Sequence, residues 1–174
     1  ARHPKVVQGG PGQRERRHGP TLIALSRHKL ATLERPQGFD SRRMLDGAYV
    51  LSEAPNPDIT IIASGSEVGP AVGAKKLLEQ KGKRVRVVSA PCWEAFSRLP
   101  ADKRAQVIPE SSLLVTVEAG RTLGWAAVTG KGGINIGIDH FGASAPAKVR
   151  PSIGSTPSSG KSPGSTRTTV RRSG

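Results

Sequence analysis

Short apolar runs separated by polar or Gly-rich text recur along the chain, at residues 22–25, 48–51, 59–63, 85–89, 113–117 and 134–138. Runs this short, bounded by turn formers such as Asn56-Pro57-Asp58, predict buried strands rather than buried helices. After the run at 59–63 the period changes. Val68, Ala71, Val72 and Leu78 fall on one helical face, with Ala74 and Leu77 beside it. They predict a helix that begins near Ser66 and stops before Gly82. Ser64 and Glu67 have the spacing of a capping box, and Lys81, Lys83 and Arg84 crowd the end where the helix dipole favours positive charge. Residues 101–108 predict another helix, ended by Pro109. Apolar strands alternating with helices predict a three-layer α/β/α domain with a mostly parallel sheet. Residues 1–14 and 150–174 carry neither period and are rich in Gly, Pro, Ser and basic groups, which predicts irregular or disordered termini.

Composition changes that picture little until the charge is located. The chain has 174 residues, the length of a single domain, with a formal net charge of +14. Residues 1–47 hold 10 basic and 4 acidic groups (+6), residues 48–149 hold 12 and 9 (+3), and residues 150–174 hold 5 and none (+5). The ends therefore carry most of the charge and the strand-bearing middle is almost balanced. Cys92 is the one cysteine, which excludes a disulfide framework and suits a reducing compartment. No apolar run approaches the ~18 residues of a membrane span, and the first residues lack an apolar signal core. A soluble protein of the cytoplasm is the expectation.

Several local texts go further than the period. Residues 19–27 read GPTLIALSR, residues 63–68 read ASGSEV, and residues 87–96 read VVSAPCWEAF. Residues 117–125 read VEAGRTLGW, and residues 137–147 read GIDHFGASAPA. Together they resemble transketolase, from about Glu15 to Val149. The resemblance implies that residues 15–27 are the last strand of the pyrimidine-binding domain, 28–47 a linker, and 48–149 the C-terminal domain. Residues 1–14 match nothing in the family. It implies a parent enzyme that moves a two-carbon ketol unit from a ketose phosphate to an aldose phosphate, using thiamine diphosphate with Mg or Ca, as a homodimer. Within it, Arg27 stands where the family's strand-ending arginine helps hold the substrate phosphate. A planar, permanently charged guanidinium suits that task.

The family's Gly-Asp-Gly…Asn metal motif, activating Glu and cofactor-binding His residues lie upstream of the part seen here. No Gly-Asp-Gly occurs in this chain. The expectation is a fragment with no catalytic, cofactor-binding or metal-binding residues of its own, serving structure and dimer contact. Other candidates are weaker. Residues 130–135 fall short of a dinucleotide-binding GxGxxG and read as a turn. Glu118 has no partner at catalytic spacing and reads as a structural hydrogen-bonding group, Cys92 reads as a small buried side chain, and His140 has no companion. The helix start near Ser66 offers a weak anion site at most.

The resemblance stops after Val149, where transketolases continue with LY-x-E-F or LY-x-E-Y. One codon choice for residues 150–156, CGN CCC TCT ATC GGG AGT ACG, reads two bases on as x-Leu-Tyr-Arg-Glu-Tyr. The tail is therefore expected to be a frame-shifted translation of an ordinary ending. Two other classes remain open on residues alone. One is a free-standing basic protein whose ends bind nucleic acid, against which stand the balanced middle and the lack of aromatics at the ends. The other is a non-catalytic regulatory subunit.

Overall fold

The computed structural model describes residues 29–139 and the backbone of Thr169–Arg172. Strands β1 (Tyr49–Ser52), β2 (Ile59–Ala63), β3 (Val85–Ser89), β4 (Leu113–Val117), β5 (Ile134–Gly137) and β6 (Thr169–Arg172) form one sheet in the order β1-β3-β2-β4-β5-β6. The four central strands are parallel, and β1 and β6 flank them antiparallel. The alternation along the chain thus gives the mostly parallel α/β sheet that the pattern predicts. The difference is β6, which lies within the stretch for which the sequence predicts no element. It pairs Val170 with Ile136 and Arg172 with Ile134.

Side chains of successive strand residues point to opposite faces, so an apolar strand needs cover on both. Helix α1 (Val68–Glu79) covers one face: Val68 and Ala71 pack with Ile61, Ala63, Val85, Val87 and Val117. The opposite face carries Ile62 and Val88, packed with Phe96, Trp93, Val107, Trp125 and Val128 of the short helices α2 (Trp93–Ser97), α3 (Ala101–Val107) and α4 (Ala126–Thr129) and their flanks. Trp93 stands between Phe96 and Trp125, with ring centroids 5.2 and 5.7 Å away. Neither α2 nor α4 is legible as a period, because four or five residues are too few to show one.

The segment before β1 is more than a tether. Leu33, Phe39 and Met44 pack against the α1 face, and Phe39 stacks on Tyr49 at 4.9 Å between ring centroids. The turn that enters β1 closes at Gly47, whose φ of 84° suits glycine. A Cβ there would overlap the Cys92 carbonyl and lie 2.6 Å from the Phe96 nitrogen.

One expectation for α1 is corrected. The capping box does not form: a 3-10 turn at Gly65–Glu67 precedes the helix, Ser64 makes no cap, and Ser66 Oγ donates instead to Glu67 Oε1 at 2.7 Å. Leu77, beside the stripe, is 63% exposed, and the buried face of the helix includes Lys75, which the pattern did not predict. The Lys75 stem crosses the apolar face while Nζ donates to the Val85 and Glu53 carbonyls at 2.6 and 2.8 Å and pairs with Glu79 at 3.2 Å.

Candidate functional site

In a doubly wound sheet the crevice for a ligand opens beyond the carboxyl ends of two neighbouring strands whose connections leave in opposite directions. Here those strands are β2, which continues to β3 on one side, and β4, which lies on its other side. Their register, Ala63 against Val117, brings Ser64 and Glu118 side by side at this switch point. Ser64 Oγ donates to Glu118 Oε2 at 2.5 Å, joining the β2–α1 turn to the β4–β5 connection. Glu67, on the same turn, is buried at 7% exposure. Burial pushes the half-buried Glu118 carboxyl above its ordinary value; the Ser64 hydrogen bond opposes that shift, and the Glu67 charge adds to it.

The β4–β5 connection is held by a second carboxylate. Asp139 Oδ1 accepts from the Thr122 N–H at 2.9 Å, and Ile138 N–H donates to the Gly120 carbonyl at 2.8 Å. Deeper in the sheet, Thr116 Oγ1 donates to Asn135 Oδ1 at 2.7 Å, with Thr129 Oγ1 3.2 Å from the same oxygen. On β3, Arg86 is buried at 8% and spans three elements. It donates to Glu53 Oε1 at 2.8 Å and to the Gln106 and Val107 carbonyls at 2.9 and 3.1 Å.

These arrangements lock loops and helix ends together; none pairs a nucleophile with a base. Among the described residues no group of three or more His, Cys, Asp or Glu could hold a metal ion. Arg27, the candidate for the substrate phosphate, and His140 lie outside the described residues. Glu118 takes the structural hydrogen bond expected of it. Cys92 is corrected: it is exposed at the N-cap position of α2, its Sγ 3.7 Å from Glu94 Oε2. Residues 130–133 form the turn into β5, with Gly130 and Gly132 at φ of 62° and 84°. Glu67 stands at the N-cap of α1, and Glu118 is bonded to Ser64 ahead of the 3-10 turn that leads into it. The sequence reading missed Arg86, Lys75 and Asp139. The available signal was a charged residue inside, or just after, an otherwise apolar strand or stripe.

The fold and its loop locks define a doubly wound α/β domain whose polar groups are spent mainly on internal ties. Residues 47–152 match the Transketolase-like TK C-terminal domain family, and the chain belongs to it. Curated relatives include transketolase from Aquifex aeolicus, 43% identical over 78% of this chain and 20% of that protein, and the chloroplastic transketolase of Solanum tuberosum, 42% identical over 76% of this chain and 18% of that protein. Among solved structures, transketolase from Leishmania mexicana superposes with a TM-score of 0.58 at 41% identity, covering 65% of this chain and 16% of that one. Transketolase from Campylobacter jejuni gives 0.58 at 31% identity, covering 67% and 17%. The chain spans about a fifth of the length of the curated relatives it matches. No helix among the described residues is long and apolar enough to cross a membrane.

Proposed function

We propose that the chain is the C-terminal portion of a transketolase and serves that enzyme as a structural, dimer-contacting domain while the chemistry is performed elsewhere. The parent enzyme transfers a two-carbon ketol unit between sugar phosphates in the cytoplasm, as a homodimer. The observation that carries this reading is the family match over residues 47–152, which contains the five strands from β1 to β5. Arg27 would lie at the substrate phosphate, its guanidinium making paired hydrogen bonds to the oxygens.

Thiamine diphosphate and its Mg or Ca would supply the carbanion chemistry of the parent. The described residues do not fit that group. No metal-holding cluster is present among them, and Glu118 is committed to Ser64. In this reading the cofactor and its activating carboxylate would be held by parts of the enzyme outside the described residues.

Two measurements test the proposal. The 174-residue chain by itself is expected to show no ketol transfer when supplied with cofactor and metal; turnover well above background would overturn the division of labour. A chimera in which residues 15–149 replace the matching part of the Aquifex aeolicus protein is expected to dimerise and turn over. Replacing Arg27 by Ala in that chimera should raise KM for sugar phosphates at least about tenfold, the equivalent of about 1.4 kcal/mol, with a smaller change in kcat. An unchanged KM would remove Arg27 from the phosphate site. The tail after Val149 is proposed to be a shifted reading frame, which independent resequencing of its DNA tests: a frame without the slip in every read would sink it.

A further inference from the structure

The strands inside the family match, β1 to β5, end in two differently built borders. At one, β1 meets β3 through a register that shifts between Val50 and Ser52, the kind of bulge that turns an edge away from further strands. At the other stands β5, Ile134-Asn135-Ile136-Gly137, with no charge, no proline and no break in register. A bare strand of that type is a template for one more. We propose that the outer border of β5 is a strand-accepting site for an extended peptide segment, recognised through the main chain. The tail segment Thr169–Arg172 fills it in cis and competes there with the same segment supplied in trans.

Alternation along the strand fixes which groups do the binding. The Ile136 carbonyl accepts from the Glu118 N–H at 3.0 Å, and the Ile138 N–H donates to the Gly120 carbonyl at 2.8 Å. The even-numbered residues thus spend their backbone groups on β4 and the segment that follows it. Backbone groups of successive strand residues point to opposite sides, which directs the N–H and C=O of Asn135 and Gly137 outward. In the antiparallel register Asn135 lies opposite Arg171 and Gly137 opposite Thr169, and these are the pairs that exchange hydrogen bonds. Ile136 and Val170 form the non-hydrogen-bonded pair between them. Recognition of this kind asks for an extended segment with N–H groups at alternate positions and tolerates many side chains. Thr169 and Val170 are β-branched and suit a strand, while Arg171 and Arg172 bring charge to the new border, which deters a further copy. The inference rests on strand pairing alone. It stands whether or not the parent enzyme is a transketolase, and whichever reading frame supplies the tail.

Proline substitutions test it, because their effect depends on the side to which the lost N–H points. In the full chain, Arg171→Pro removes an N–H aimed at β5, and Val170→Pro removes one aimed away from it. Residue-resolved hydrogen exchange is expected to find the Asn135 and Gly137 amides at least about tenfold less protected in Arg171→Pro, with the Ile138 amide unchanged. Val170→Pro should leave all three close to the unmodified chain. A labelled peptide of residues 165–174 should bind the Arg171→Pro chain and restore protection of both amides. It should bind the unmodified chain at least about tenfold more weakly, since the tethered tail holds the same border. Thr169→Pro removes the other inward N–H and replaces Arg171→Pro if that variant does not fold. Equal losses in the inward and outward proline variants, or Asn135 and Gly137 amides indifferent to both, overturn the site. So does a peptide that binds neither chain, or binds both equally.

Discussion

Replacing Arg86 by Ala tests whether the polar ties of this domain are as tight as their geometry. The side chain enters from the middle of β3 and ends in a fork shared between Glu53 and the last two carbonyls of α3. The Glu53 end contributes modestly, because that carboxylate is 57% exposed and solvent screens it; about 0.5 kcal/mol is a fair share. The two carbonyl bonds come from a charged donor that is itself buried, about 1 kcal/mol each, and loss of the packed stem adds about 0.5. The sum, about 3 kcal/mol, corresponds to a fall in Tm on the order of 15 °C for a domain of ~100 residues. Arg86→Lys keeps the charge and loses the fork, so it should forfeit roughly half as much. Glu53→Gln should cost at most about 1 kcal/mol. Urea unfolding followed by circular dichroism measures all three. A loss below about 0.5 kcal/mol for Arg86→Ala, with an unchanged m-value, would mean that water replaces the guanidinium and that the strand–helix tie is incidental.

Other outcomes follow from single contacts. Arg84 holds the Asp58 carboxyl down to about 2 from an ordinary value of 3.8, first through the side-chain hydrogen bond and then through the Arg84 backbone N–H. A depressed folded value means that the contribution is complete above the unfolded pKa and is lost as pH falls from about 4 to about 2. Asp58→Asn should flatten the acid limb of the stability profile in that window; an unaltered limb would count against the pair. At Gly137 an added Cβ would lie 2.6 Å from the Gly120 carbonyl and 2.7 Å from Thr122 Cγ2. Backbone on one side leaves no room to yield, so Gly137→Ala should destabilise by about 2 kcal/mol, whereas Gly124→Ala, with open space around it, should be near neutral in the same melt.

The apolar runs at 59–63, 85–89 and 113–117 are strands of those same bounds; the first two are buried on both faces, and the third is buried at Thr116 and Val117. The helix at 68–79 was legible from its stripe, although its start was misplaced. That miss has a plain cause: instead of accepting from a helix N–H, the Ser64 hydroxyl donates to Glu118, 54 residues away in the chain. Arg86 within VRVVS and Lys75 within the α1 stripe were visible as anomalies, but the carbonyls that make them tolerable belong to other elements.

The sequence by itself determined the α/β class, the strand positions and the family, since period and local text are properties of neighbours along the chain. Only the tertiary structure decided which hydroxyl meets which carboxylate, that Cys92 faces outward, that Leu33 and Phe39 seat the entering segment on the sheet, and that Thr169–Arg172 lies along β5. Those choices turn on distances between residues far apart in sequence, where burial and pairing are settled jointly by every element that packs against them.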